Sequence, residues 1–78
     1  MDEILVSREV DARGLNCPLP LLSANSALSR LRSGEVLQIA VTDAGAERQF
    51  MRFAAHAGHE LLRIDSSPPE YLIYIRKG

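Results

Sequence analysis

The pattern of apolar and polar positions along this 78-residue chain predicts a first strand over residues 4–11. From Pro18 the period changes to that of a helix, because apolar side chains recur at i, i+3, i+7 and i+10. These positions form one stripe down the helix: Leu21, Ala24, Leu28 and Leu31. Gly34 is then expected just past the end of this helix.

The second part of the chain predicts a strand, a helix and two further strands. Residues 35–42 are almost wholly apolar, as a central strand should be. Asp43 is expected to cap a second helix that ends at Gly58. The apolar stripe of this helix is Ala46, Phe50, Phe53, Ala54 and Ala57. The last two strands are expected at residues 59–65 and 71–76. The short link between them, which contains Pro68 and Pro69, implies an antiparallel hairpin.

The predicted element order is β-α-β-α-β-β, which places the chain in the α/β (α+β) class. A strand-helix-strand crossover is right-handed, so both helices can cover the same face of the sheet. We therefore expect a two-layer sandwich, with two helices packed on one face of a four-stranded mixed sheet. A chain of this length builds one core, so residues 1–78 are expected to form a single domain.

Composition and charge narrow the classes of function. Nine basic residues against ten acidic ones leave a formal net charge of -1, which removes the general attraction to nucleic acid or an anionic membrane. No stretch is long and apolar enough to cross a bilayer, and the acidic start, Met1-Asp2-Glu3, is unlike a signal peptide. A single cysteine cannot form an internal disulfide, so a reducing, cytoplasmic location is expected.

The candidate functional motif is Cys17-Pro18-Leu19-Pro20. Prolines in the first turn of a helix sacrifice no hydrogen bond, since the N–H groups there have no intrahelical partner. With Pro18 as the first helical residue, Cys17 is the cap, and Pro18 favours an extended backbone that lifts the thiol off the helix tip. The helix dipole favours a thiolate there. Because Pro20 has no N–H, Leu19 N–H is the main remaining donor, and we expect only a mildly lowered pKa for Cys17.

A free cysteine is more often a small buried hydrophobe than a reactive group. The two prolines favour the reactive interpretation for Cys17, because they expose its side chain without loss to the helix. A metal site is not expected: Gly58 separates His56 from His59, and the cysteine stands far earlier in the chain. No organic cofactor is expected either.

Three further patterns have a structural explanation that is more common than a functional one. Arg48 and Arg52 stand i, i+4 on the polar face of the second helix, where a docking patch for an acidic partner or RNA is the less common alternative. Met51 fits packing in the core or at the rim of that helix, and lining a groove for a partner is the less common alternative. Tyr71 and Tyr74 fall on opposite faces of the last strand, so they form no platform for stacking bases.

Residues 11–20, DARGLNCPLP, resemble the signature of the TusA/SirA family of sulfur carrier proteins. The resemblance continues through residues 34–37, 41–43, 58–61 and 74–77 and so covers essentially the whole chain. It implies the two-layer fold and a carrier whose motif cysteine, here Cys17, accepts sulfane sulfur from a cysteine desulfurase or rhodanese-like donor. The sulfur then passes to an acceptor protein in tRNA thiolation, molybdenum cofactor assembly or sulfur oxidation. The positions that surround this cysteine in the motif are Arg13, Gly14, Pro18 and Pro20.

The chain departs from the family pattern in the first helix. Family members commonly carry lysines just after the motif, where this chain has Ser23 and Asn25. Cationic support for a Cys17 thiolate is thereby reduced to the helix dipole and Arg13. A monomeric carrier in a sulfurtransferase relay is the main hypothesis. The alternative is a regulatory or adaptor domain of the same fold that no longer carries sulfur. A third possibility, RNA binding through the sheet, is disfavoured by the near-neutral charge.

Overall fold

The computed structural model describes residues 4–16 and 18–78, so the acidic start of the chain and Cys17 lie outside the described residues. The elements follow the predicted order: β1 (Arg8–Asp11), α1 (Leu19–Leu28), β2 (Val36–Val41), α2 (Ala46–Ala57), β3 (Glu60–Ser67) and β4 (Glu70–Arg76). The strands form one sheet in the order β1-β2-β4-β3. β1 runs parallel to β2, and β4 is antiparallel to both of its neighbours. The mixed sheet is therefore confirmed.

The core lies between the sheet and the two helices. Alternate side chains of the two central strands are completely buried on one sheet face: Leu37, Ile39, Val41, Ile73 and Ile75. Buried side chains of both helices pack against them: Ala24, Ala27, Leu28, Ala46 and Phe50. Because both helices cover the same face, the predicted two-layer sandwich is confirmed.

The apolar stripes predicted for the helices are confirmed with two exceptions. Leu21 of α1 and Phe53 of α2 pack against the core. Leu31 packs against it too, but it lies beyond the end of α1 at Leu28. Ala57 is exposed instead of buried. It is the last residue of α2, and Gly58 follows it in the left-handed region with φ 80°, which turns the chain away from the helix axis.

β1 is shorter than predicted because β2, the strand it pairs with, begins only at Val36. Arg8 pairs with Leu37 in β2, and the N–H of Ser7 donates to Val36 O at 2.8 Å. Residues 4–6 lie beyond the first residue of β2, so within the described part of the chain they have no neighbouring strand with which to form a ladder.

Gly34 does not end α1, which stops at Leu28 with Ser29 as its C-cap. After the helix, Arg30 N–H donates to Ala27 O and the chain continues in short turns. Gly34 has φ 91° in the turn before β2, and its N–H donates to Lys77 O at 2.8 Å. The prediction was wrong because this glycine serves the turn that enters the sheet rather than the end of the helix.

Asp43 lies two residues before the cap of α2, which is Gly45. Its carboxylate accepts a hydrogen bond from Gly45 N–H at 2.9 Å, and its carbonyl accepts one from Ala46 N–H at 3.0 Å. Asp43 therefore forms the turn that leads into the helix and does not cap it, which corrects the prediction.

The predicted antiparallel hairpin is confirmed at β3 and β4. Ser67 pairs with Glu70 across a two-residue turn made by Pro68 and Pro69, which are joined by a cis peptide bond. β3 is longer than predicted because the ladder continues up to this turn. In the described part of the chain, neither helix has the length and apolar character needed to cross a membrane.

Candidate functional site

The motif lies at the sheet edge where the parallel strands β1 and β2 end. β1 ends at Asp11, which is paired with Ala40 of β2, and α1 begins at Leu19. We call residues 12–18 the motif loop. Cys17 is outside the described residues, so its predicted pKa stays a prediction.

Arg13 anchors the start of the motif loop through a bidentate ion pair with Asp11. Its Nε and Nη2 donate to the two carboxylate oxygens at 2.9 and 3.0 Å, and its backbone N–H donates to Oδ1 at 3.1 Å. The side-chain hydrogen bond from Arg13 and then its backbone hydrogen bond lower the pKa of Asp11 to about 2. On the other side, Glu70 Oε2 lies 3.5 Å from Arg13 Nη1. The guanidinium charge that was predicted to support a thiolate is thus balanced by two carboxylates.

Gly14 attaches the motif loop to the end of β2. Its N–H donates to Thr42 Oγ1 at 2.8 Å, and its φ of 83° is a left-handed conformation that glycine adopts without strain. Two residues earlier, Ala12 is completely buried and its N–H donates to Ala40 O at 2.8 Å. Sequence reasoning did not single out Thr42. The signal that could have found it is topological: residues just after two neighbouring parallel strands lie at the same edge of the sheet.

α1 begins one residue later than predicted, so Pro18 rather than Cys17 is its N-cap. Pro18 has φ -95° and ψ 12°, outside the helical region, and its carbonyl accepts the first helical hydrogen bond from Leu22 N–H at 3.1 Å. Pro20 then occupies the second helical position, where its missing N–H is again no loss.

Leu19 N–H, predicted as the main donor to the sulfur, donates to Asn16 O at 2.9 Å. Its predicted contact with Cys17 stays a prediction, because Cys17 lies outside the described residues. The same hydrogen bond joins the residues on the two sides of position 17.

Beside the motif loop, α1 presents apolar side chains to solvent. Leu19 is 48 % exposed and Leu22 is 59 % exposed. Ser23 and Asn25, where the resemblance led us to expect lysines, lie on the same helix. A groove of about 520 Å³ runs between α1 and α2, and we call it the inter-helix groove. Its lining residues are Leu21, Leu22, Asn25, Gln49, Arg52, Phe53, His56 and Ala57.

The two histidines lie in different surroundings. His56 lines the inter-helix groove, whereas His59 Nδ1 accepts a hydrogen bond from Gly78 N–H at 3.1 Å and its ring lies 5.9 Å from that of Phe53. Among residues 4–16 and 18–78, no group of three or more His, Cys, Asp or Glu side chains is arranged to hold a metal ion.

The sheet face opposite the helices carries Tyr74. Its hydroxyl accepts a hydrogen bond from Gln38 Nε2 at 2.8 Å, and the guanidinium of Arg63 lies over its ring, 4.9 Å from the centroid. Tyr71 packs against the core on the other face. The predicted placement of the two tyrosines on opposite faces is confirmed.

Fold and motif together define a class of protein: a small two-layer α/β domain with Cys-Pro-x-Pro where the first helix begins. The model of the family described as Sulfurtransferase TusA matches residues 8–77. The chain is 40 % identical over 71 residues to the sulfur carrier protein TusA of Allochromatium vinosum, across 91 % of this chain and 93 % of that protein. It is 35 % identical over 77 residues to the sulfur carrier protein TusA of Pseudomonas entomophila, across 99 % and 96 %. The chain therefore belongs to the TusA family, as the resemblance predicted.

The fold also matches a solved structure. The crystal structure of a SirA-like protein from Desulfitobacterium hafniense superposes with a TM-score of 0.78, covering 91 % of this chain and 97 % of that one. The two sequences are 24 % identical, so this similarity shows the fold alone. It agrees with the two-layer sandwich that the sequence predicted.

Proposed function

We propose that this protein is a sulfur carrier that accepts sulfane sulfur as a persulfide on Cys17 and relays it to a second protein. The observation that carries the proposal is the single cysteine in its Cys-Pro-x-Pro motif within a chain of the TusA family. The neighbours of Cys17 support it, because Gly14 and Asn16 are both fixed by hydrogen bonds. The described residues on both sides of position 17 are thus held by hydrogen bonds.

The proposed loading step transfers one sulfur atom without net oxidation. The Cys17 thiolate attacks the outer sulfur of a persulfide on the donor's cysteine. A bond forms between these two sulfur atoms, the donor's S–S bond breaks, and the donor's cysteine leaves as a thiolate with the electron pair. A proton carried by the outer sulfur stays on that sulfur and moves with it to Cys17. No oxidant or reductant is consumed.

The single cysteine suits this role. A second thiol in the same chain could attack the inner sulfur of the Cys17 persulfide and form an internal disulfide. Because the chain has one cysteine, the persulfide can be released only to a nucleophile on another molecule. The outer sulfur then passes to that acceptor and Cys17 leaves as the thiolate.

The proposed partners are a cysteine desulfurase or rhodanese-like donor and an acceptor protein in tRNA thiolation, molybdenum cofactor assembly or sulfur oxidation. The transfer needs neither a metal nor an organic cofactor, because the transferred group is bound covalently. A cytoplasmic location is proposed with it, since a reducing compartment keeps Cys17 as a thiol. We propose that the carrier acts as a monomer.

Intact mass spectrometry after incubation with a cysteine desulfurase and cysteine, without reductant, tests the proposal. Wild type is expected to gain one sulfur atom that a reductant removes, and Cys17→Ser is expected to gain none. Loading of Cys17→Ser would contradict the assignment of the site. No loading of wild type by several donors, with Cys17 still open to alkylation, would favour the adaptor alternative, which the loss of the family lysines at Ser23 and Asn25 motivates.

A further inference from the structure

The inter-helix groove begins close to the motif loop. Leu22 lines the groove, and its N–H donates to the carbonyl of Pro18, the residue directly after Cys17. One turn of α-helix advances by roughly 5.4 Å, so Pro18 lies about that distance from the groove along α1. A protein that reaches Cys17 therefore also comes within reach of the groove.

The floor of the inter-helix groove is apolar. Leu21 and Leu22 of α1 face Phe53 and Ala57 of α2 across it. Leu22 is 59 % exposed and Leu19 is 48 % exposed, whereas Leu21 and Leu28 of the same helix pack against the core. An exposed apolar surface of this kind, bordered by polar side chains, is typical of an interaction site.

The rim of the groove along α2 carries two arginines and a histidine. Arg48, Arg52 and His56 follow one another at i, i+4 and i+8, so they share one face of the helix, and the last two line the groove. Asp or Glu is absent from the described lining of the groove. Within the described ranges, the four ion pairs use other arginines: Arg13, Arg63 and Arg76. The charge on this rim is therefore available to a partner.

We propose that the inter-helix groove docks the protein that loads Cys17, through a segment that presents an apolar side chain flanked by carboxylates. This inference rests on the proposed carrier function. The apolar side chain fills the space between Leu22 and Phe53, and the carboxylates pair with Arg52 and its neighbours along the rim. An apolar centre with a charged rim is the usual anatomy of a protein interface, and the rim charges set the orientation of approach.

A protein segment fits the groove better than RNA does. Phe53, His56 and Arg52 are the lining side chains with a plane on which a base could stack, but the leucines and Ala57 make the rest of the floor aliphatic. An aliphatic floor suits an apolar side chain of a protein better than a planar base. The net charge of -1 gives the molecule no overall attraction to a long phosphate backbone. The arginines of the rim can still attract a local acidic patch on a protein.

The test is the rate at which a cysteine desulfurase loads the protein, measured by intact mass at increasing carrier concentration. Leu22→Asp and Arg52→Glu are each expected to raise the KM for the carrier by about tenfold, because they remove the apolar contact or reverse the rim charge. The rate at saturation is expected to fall less than about twofold, since the chemistry at Cys17 is unchanged. Raising the salt concentration is expected to reduce the difference between Arg52→Glu and wild type.

Matched controls separate docking from general surface changes. Leu5 is 82 % exposed and lies outside the groove, and Arg32 is an exposed arginine beyond the end of α1. Leu5→Asp and Arg32→Glu are expected to leave KM within about twofold of wild type, as surface substitutions away from an interface do.

Three results would overturn the docking proposal. One is equal KM values for wild type, Leu22→Asp and Arg52→Glu while wild type is loaded normally, which would leave the carrier function intact. Another is self-association in sedimentation that Leu22→Asp abolishes without a change in KM, which would assign the groove to a second copy. The third is RNA binding that Arg52→Glu weakens while KM is unchanged. Failure of any donor to load wild type would instead contradict the carrier function itself.

Discussion

Arg13 has two carboxylates around one guanidinium, those of Asp11 and Glu70. The side chains of Asp11 and Arg13 are at least half exposed, so water screens their attraction and the pair contributes little to global stability. Its effect is local, because a bidentate ion pair fixes both the direction of the Arg13 side chain and the first turn of the motif loop.

The first prediction concerns the pKa of Asp11, followed by NMR of its carboxyl carbon. In wild type the carboxyl is expected to titrate near the lowered value of about 2, and in Arg13→Ala it should return towards its ordinary value of 3.8. Because the folded-state pKa is depressed, the interaction is fully present above 3.8 and is lost as the pH falls through about 2. Arg63→Ala is the control, since Arg63 pairs with Asp65 instead. An Asp11 pKa that does not respond to Arg13→Ala would contradict the ion pair.

The second prediction concerns Thr42, whose hydroxyl accepts the hydrogen bond that holds Gly14 of the motif loop. Thr42→Val keeps the shape of the side chain but removes the acceptor for Gly14 N–H, so we expect a loss of about 1 kcal/mol in the free energy of unfolding by urea. Amide hydrogen exchange at Gly14 should accelerate at the same time. Thr42→Ser retains the hydroxyl and should behave nearly as wild type. Unchanged protection of Gly14 in Thr42→Val would show that this hydrogen bond does not hold the loop.

Two adjacent positions of α2 lie on its buried face and on its exposed face. Phe50 is completely buried and contacts Phe53 edge to face, with ring centroids 6.2 Å apart, whereas Met51 is 57 % exposed. Phe50→Ala leaves a large cavity, so we expect a loss of about 3–5 kcal/mol in the free energy of unfolding. Met51→Ala should change it by less than about 0.5 kcal/mol. Urea unfolding of both variants checks the pair, and similar losses for the two would mean that α2 is rotated about its axis.

The parts of the elements set by local periodicity could be predicted from the sequence, and the parts set by distant neighbours could not. The buried stripes of α1 and α2 follow from the 3.6-residue period, which the chain displays by itself. The start of β1 depends on where β2 begins, and the hydrogen bond from Gly14 joins residues separated by 28 positions. Pro18 was expected inside the helix because a proline is compatible with both the cap and the first position, and only the φ of -95° decides between them.

One end of the sheet carries the motif loop, and the opposite end holds the last residues of the chain in place. At one edge the motif loop joins the ends of β1 and β2 and meets Glu70 at the start of β4. At the opposite edge Lys77 closes the fold after β4: its Nζ donates to Leu31 O at 2.7 Å and its N–H donates to Glu35 O at 2.8 Å. The carbonyl of Lys77 accepts the N–H of Gly34. These three hydrogen bonds of Lys77, and a fourth that Ser33 Oγ donates to Gly78 O at 3.0 Å, connect the last two residues to the segment between α1 and β2.

The last prediction uses this separation to distinguish stability from sulfur exchange. Lys77→Met keeps the length of the side chain but leaves the partly buried carbonyl of Leu31 without its charged donor, so the free energy of unfolding should fall by about 1–2 kcal/mol. Arg76→Met is the neighbouring control. Arg76 pairs with Glu60 at 2.7 Å, and both side chains are about half exposed, so its loss should amount to less than about 1 kcal/mol. Because Lys77 is at the edge away from the motif loop, Lys77→Met at a temperature where it is fully folded should load sulfur at the wild-type rate. Slower loading by the folded variant would mean that the two edges are coupled through the sheet, and equal unfolding losses for the two variants would mean that the carbonyl of Leu31 does not depend on Lys77.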